Sequence, residues 1–508
     1  MRANQLALSY GACQGFWGAK RAHFSTLTRK WSTELFCAPC QYLQMVSGFR
    51  TTLVSPHRRK FHSSRQLSAL QRLSPQEVTD RLRQNEYTQE FNSGGSMKSF
   101  DSNQLSSNNP IEDTRSEARC LLTAGMLFGV FDGHGGAACA QVIAKRLFHY
   151  ITVCLLPSDL LQEYHQSDSN KKLLEPYNDK LQFYEDLQQL YDKSFKLFVE
   201  ELANEKKQKE EFQMKDALVK AFLKLDGDLS KEGKLSNNGE VNKRTLSVAM
   251  SGAVACVAHI DGPHLHVANV GDCQAVIGVL GEGNTWTAKK LTDEHNADNI
   301  SELNRIIKQH PPSEKDTVIS SDRLLGQLAP LRAMGDFRYK WSREELTKYA
   351  VPTYGENVIA PHYHTPPYLT SCPDVSYHRL RPKDKFLVIA SDGLWDLVSP
   401  LQAVRLVGEH MSGKVTLSPF RLPNANMTLN DINEALQQRK EVLKLKPIDK
   451  NASTHLIRNA LGGSEYGLSH AKLSQMLSLP ESIVRLVRDD ITITVIYFDS
   501  DYLRHCPL

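Results

Sequence analysis

No stretch of this 508-residue chain approaches the roughly 18–20 consecutive apolar residues that a membrane-spanning helix needs, so no transmembrane segment is expected. Its ten cysteines follow no framework spacing, which argues against a disulfide-stapled fold and for reduced thiols in an intracellular compartment. Internal repeats are missing, and 29 glycines with 22 prolines leave no room for a collagen-like or low-complexity chain. With 41% hydrophobic and 23% charged residues, the composition also excludes a largely disordered protein. The length is long for one domain and short for three. One large catalytic-sized unit with an extension is the expectation.

Acidic residues are scarce at the start. Residues 1–62 hold nine Lys or Arg and a single acid, Glu34, a local net of +8. The rest of the chain carries 52 basic and 56 acidic residues, a net of −4, so no nucleic-acid-binding surface is expected. An Arg-rich, Ser/Thr-rich, acid-poor head without a continuous apolar core has the composition of a mitochondrial transit peptide. Arg58-Arg59-Lys60-Phe61-His62-Ser63-Ser64 resembles a matrix-protease cleavage region, which puts the mature start near residue 63. The alternative is a basic tail that binds an acidic partner. Cys37-Ala38-Pro39-Cys40 has CxxC spacing but no second ligand pair, so neither zinc nor redox chemistry is expected of it.

Beyond the head, Ser74-Pro75-Gln76-Glu77 predicts a helix start with a capping box, opening an N-terminal helical extension over 63–99. From about residue 100 to 500 the pattern changes to short apolar runs that end in Asp or Gly. Met126–Phe131, Leu246–His259, Leu265–Asn269, Lys385–Ala390 and Ile491–Phe498 predict strands. Helices are expected near 137–155, 180–205 and 214–231, and insertions near 160–240 and 410–455. The charge run at 204–213 reads as a solvated helix face or loop.

The acids fall at strand edges. Asp132, Asp272, Asp392 and Asp490 each border an apolar run, and Glu112-Asp113 adds an adjacent pair. Taken singly, an Asp-Gly is a turn. Several carboxylates converging beside buried strands repel one another and are costly to desolvate. Hard divalent cations relieve both problems, so the set points to Mg²⁺ or Mn²⁺.

Phe131-Asp132-Gly133-His134-Gly135-Gly136 resembles the signature of the metal-dependent Ser/Thr phosphatases of the PP2C type. In chain order, Ile111-Glu112-Asp113, Ser251-Gly252-Ala253, Asn269-Val270-Gly271-Asp272, Arg332-Ala333-Met334-Gly335-Asp336, Ala390-Ser391-Asp392-Gly393-Leu394-Trp395-Asp396 and Asp489-Asp490-Ile491-Thr492 resemble the remaining blocks of that family. The ordered set covers about 400 residues. Phe100–Leu105, His364–Leu369 and Tyr377–Pro382 resemble the mitochondrial branch that acts on pyruvate dehydrogenase.

The resemblance implies an α/β fold, a sandwich of two antiparallel sheets flanked by helices, with metals at one end. It implies two ions bridged by Asp132, with Glu112 and the Gly133 carbonyl on one side and Asp392 and Asp490 on the other. Asp113 would act through water, and Asp272 with Asp396 would hold a weaker third ion. A metal-bridging hydroxide would attack phosphorus in line, and His134 would protonate the departing serine oxygen. The bland alternative for His134 is a structural histidine bonded to a carboxylate. Cys139 and Cys256 read as core thiols, no C-x₅-R loop is present, and His134 occupies the position where a DxDxT site needs its second Asp. His264 and His266 lack zinc-like company.

The family's phosphate-clamping Arg, four positions before its Glu, is Asn108 here, which offers only neutral hydrogen bonds to a substrate phosphate. The implied function is a protein-serine phosphatase that dephosphorylates and reactivates the E1 component of pyruvate dehydrogenase in the mitochondrial matrix. The implied partners are phosphorylated E1, the lipoyl-bearing E2 core and, in some forms, a regulatory subunit. No EF-hand loop accompanies them, so any Ca²⁺ site would be shared across an interface. The same chemistry on another matrix phosphoprotein, and a pseudophosphatase serving as a binding module, are the alternatives.

Overall fold

Two antiparallel sheets organise the chain because its strands alternate between a face buried in the sandwich and a face buried under helices. A computed structural model describes residues 72–506, other than 93, 168–170, 182, 184, 207–212, 238–239, 416, 418–419 and 421–426. The expectations for residues 1–62, including Cys37 and Cys40, lie outside the described residues, as does most of the charge run.

The first sheet contains β1 (Tyr87–Glu90), β2 (Met97–Leu105), β8 (Gln274–Leu280), β9 (Trp286–Lys290), β11 (Asp384–Ala390) and β12 (Ile491–Phe498). Their order is β1-β2-β12-β11-β8-β9, antiparallel throughout. The second contains β3 (Thr114–Cys120), β4 (Met126–His134), β5 (Leu174–Tyr177), β6 (Gly252–Asp261), β7 (His264–Val270) and β10 (Asp374–Arg379). Its order is β10-β7-β6-β4-β3-β5, again antiparallel. Between the sheets lie Phe100, Phe128, Val130, Val254, Cys256, Ile277, Leu387, Ile389 and Ile496, all buried. The α/β sandwich expected from the sequence is the fold observed.

Helices cover the outer faces. Helices α2 (Ala138–Leu155) and α4 (Met214–Gly233) pack with α3 (Glu185–Lys206) on the second sheet. Arg146 on α2 holds α4 through Glu232, with both contacts at 2.8 Å and both side chains buried. On the first sheet lie α1 (Pro75–Arg83), α6 (Pro400–Met411) and α7 (Ala452–Gly462). The capping box forms as expected: Ser74 Oγ accepts from the Glu77 N–H at 3.3 Å, and Glu77 Oε2 accepts from the Ser74 N–H at 2.7 Å.

Two expectations shift. The N-terminal extension is not wholly helical, because Tyr87–Glu90 joins the first sheet as its edge strand. The run Leu246–His259 is not one strand: Lys243–Met250 is a helix capped by Asn242, and the strand begins at Gly252. A buried helix and a buried strand are equally apolar over five residues, so the run alone does not separate them.

Candidate active site

The ends of both sheets converge on one carboxylate cluster. Asp132 closes β4, Asp272 sits in the turn between β7 and β8, and Asp392 opens the short helix α5 (Asp392–Trp395) just after β11. One carboxylate oxygen from each of these three lies within 4.8 Å of the others. Burial pushes all three carboxyls above the usual carboxylate range, and carboxylate neighbours push further: Asp113, Asp392 and Asp272 at Asp132, and Asp272, Asp489 and Asp396 at Asp392. Asp396, one turn on from Asp392, is exposed and raised by desolvation and by Asp489. Gly393 lets α5 press against the next strand end, because a Cβ there would come within 2.0 Å of the Asp490 carbonyl oxygen.

Asp113 lies beneath the cluster, 3% exposed, its Oδ2 accepting from Ser391 Oγ at 2.8 Å. Desolvation and the nearby Asp490 raise its carboxyl. Glu112, on the same loop, accepts from the Gly136 N–H at 2.8 Å, so the glycine turn after β4 holds it in place. Gly133 pairs with Ala253 at the same strand end.

The structure corrects the reading of Asp490. Its carboxylate, 1% exposed, accepts from the backbone N–H groups of Ser107, Asn108 and Glu112, and from Asn108 Nδ2 at 2.8 Å. These bonds occupy both oxygens and turn them towards the 107–112 loop, so Asp490 anchors that loop instead of facing the cluster. Among these acids the Asp490 charge bears on Asp113 alone, whereas the neighbour, Asp489, acts on Asp132, Asp392 and Asp396 as well as, more weakly, on Asp113. The structure places the Asn108 amide on the same anchor, with Nδ2 donating to Asp490 Oδ2.

His134 meets Asp336, with Nε2 and Oδ2 at 2.5 Å. Burial alone would lower the His134 pKa, but the Asp336 charge and hydrogen bond, with Asp272 and Glu112 beyond, raise it overall. Asp336 holds a left-handed backbone (φ 51°) and donates its N–H to the Ser251 carbonyl at 2.9 Å. Gly252 makes the meeting possible, since a Cβ there would come within 2.1 Å of Asp336 and 2.2 Å of His134. Sequence reasoning gave Asp336 no role, because nothing local ties it to a residue 202 positions away.

A second group, His295, Glu302 and Asp374, has metal-like spacing but already contains its cation. Arg332 reaches Glu302 at 2.5 Å and Asp374 at 2.8 Å. His295 Nδ1 accepts from the Gly271 N–H at 3.0 Å, so this knot fixes the turn that carries Asp272.

Among the described residues, no Lys or Arg forms an ion pair with Asp132, Asp272 or Asp392. Asp392 Oδ1 is buried without a partner, and the charges acting most on Asp132 and Asp392 are all carboxylates. An all-oxygen, like-charged, partly buried donor set fits hard divalent ions such as Mg²⁺ or Mn²⁺. Such a site at the end of a two-sheet sandwich has the donor set that metal-assisted hydrolysis requires. Residues 160–438, more than half of the chain, match the family described as Protein phosphatase 2C. The chain belongs to that family, which is metal-dependent in general, and is a protein serine/threonine phosphatase. It is 44% identical over 451 residues to pyruvate dehydrogenase (acetyl-transferring)-phosphatase 1, mitochondrial, of Homo sapiens, covering 84% of this chain and 83% of that one. It is 41% identical over 482 residues to the human phosphatase 2 of the same name, covering 91% and 89%. The Saccharomyces cerevisiae phosphatase 1 is 30% identical over 468 residues, covering 84% and 73%.

Proposed function

We propose that this phosphatase removes phosphate from serine in the E1 component of pyruvate dehydrogenase, and so reactivates the complex, in the mitochondrial matrix. The observation that carries the substrate is the 44% identity, along 84% of the chain, to an enzyme named for it. The acid-poor head supports the compartment. The lipoyl-bearing E2 core is the proposed docking partner, with a regulatory subunit as a further one.

Two ions are proposed, with Asp132 shared between them. Glu112 and the Gly133 carbonyl would serve one side, and Asp392 with Asp489 the other. Asp113 would act at one remove, and Asp272 with Asp396 would take a weaker third ion. When bound, such ions acidify a coordinated water and neutralise charge on phosphoryl oxygens. The protein's own part is to hold the carboxylates ready. Asp490 fixes the loop that carries Glu112, and the Arg332 knot fixes Asp272. His134, whose protonated form Asp336 favours, would act as the general acid that gives its proton to the departing serine oxygen.

The test is phosphate release from phosphorylated E1 by the chain starting near Ser63, with Mg²⁺ or Mn²⁺ and then with EDTA. Metal-dependent release that disappears in Asp392→Ala supports substrate and chemistry together. Release from another matrix phosphoprotein but not from E1 would keep the chemistry and overturn the substrate.

A further inference from the structure

We propose that Arg485 binds the phosphoryl group of the substrate. The inference rests on the phosphatase reading of the cluster and names the cation of that same site. A phosphate monoester arrives as a dianion, and it arrives at Glu112, Asp113, Asp132, Asp272, Asp392, Asp396 and Asp489. Among the described residues, Arg485 is the one Lys or Arg with a charged nitrogen within 4 Å of any of these carboxylates.

Arg485 lies on α8 (Glu481–Val487), the helix that leads into Asp489. Val484 is the buried anchor of that helix, and the next side chain, Arg485, reaches the rim of the cluster with 42% of it exposed. Its Nη1 donates to Asp489 and stands 3.9 Å from Glu112 Oε2. Both partners are proposed metal ligands, so ions would draw their charge away from the guanidinium. Only Nη1 is engaged, which leaves Nε and Nη2 as a planar fork of the kind that matches two phosphate oxygens.

Two other nearby polar groups are already engaged in holding the 107–112 loop. Asn108 Nδ2 is on Asp490. Arg488 is 9% exposed and donates to Ser107 Oγ at 2.7 Å and to the Ser106 carbonyl at 2.7 Å, so it ties down the loop. The bland account of Arg485 is a helix-end ion pair with Asp489, four residues on, which contributes little and binds nothing.

The two accounts separate on phosphate affinity. The full chain is compared with Arg485→Ala and Arg485→Lys, using a small phosphoester substrate. Inorganic phosphate serves as inhibitor and, in thermal melts with Mg²⁺, as ligand. The expected result is a phosphate inhibition constant about 10–100-fold weaker in Arg485→Ala, the range of a charge-assisted bond. Part of it should return in Arg485→Lys, with the Mg²⁺ midpoint within about twofold of the parent. Unchanged phosphate affinity in both variants overturns the proposal. So does a loss that tracks an equal loss of Mg²⁺ affinity, which would make Arg485 a strut for Glu112 and Asp489. Because melts read phosphate without turnover, an inactive parent chain would overturn the phosphatase reading separately.

Discussion

At His134 two effects oppose each other. Desolvation favours the neutral ring, while Asp336 at 2.5 Å, with Asp272 and Glu112 further off, favours the imidazolium and prevails. A proton donor to an alkoxide leaving group must still carry its proton at working pH, and this pairing favours that form. Asp336→Asn keeps the shape and removes the charge. We expect the alkaline limb of the kcat profile to move to lower pH. We also expect kcat near neutrality to fall about 10–100-fold, part of the roughly 10²–10⁴ that a positioned acid contributes. The Mg²⁺ midpoint should hold. A pH–rate series at saturating Mg²⁺ checks this, and an unmoved alkaline limb would make His134 a structural residue.

Among the elements, the segment from α8 into β12 does two jobs with adjacent acids. Asp490 faces inward and collects the N–H groups of the 107–112 loop, whereas Asp489 stands with the cluster. Asp490→Ala should therefore lower stability by on the order of 3 kcal/mol, because buried donors lose their acceptor, and should weaken the Mg²⁺ response through Glu112. Asp489→Ala should leave the EDTA melting temperature unchanged or higher, since it removes a like charge, yet abolish most of the Mg²⁺ response. Paired melts of the two variants decide it; equal EDTA melting temperatures would mean that the loop does not depend on Asp490. The sequence could place Ile491–Phe498 as a strand because β-branched periodicity is local, and the strand runs over those residues. It could not say which acid of the pair faces the cluster. That choice is made by backbone donors some 380 residues earlier in the chain. The strands that lead to Asp132 and Asp392 were legible for the same local reason, whereas Arg485 meets Glu112 and Asp336 meets His134 only across long-range contacts, and the helix at Lys243–Met250 is as apolar as a strand.

At the scale of the whole molecule, the cluster joins the two sheets: Asp132 comes from the second, Asp392 and Asp489 from the first, and Asp272 from the crossing between them. Without ions these carboxylates push the strand ends apart. Their folded pKa values are raised, Asp272 to about 6, chiefly by burial. The folded state thus holds more protons than the unfolded chain from about pH 4 up through those values, and stability must fall as pH rises across that window. His134, also raised, acts in the same direction. Asp374, held low by its His295 hydrogen bond and by Arg332, is ionised throughout and adds no slope. Ions bind the deprotonated carboxylates, so they reverse the trend, stabilising by about 2.7 kcal/mol when present at 100 times their dissociation constant. We expect the melting temperature in EDTA to decline between about pH 5.5 and 8, and the gap between Mg²⁺ and EDTA to widen over the same range. Histidines with lowered pKa values, such as His455, contribute equally with and without ions and cancel in that difference. A gap that stays constant with pH would mean that the ions bind elsewhere than on these buried carboxyls.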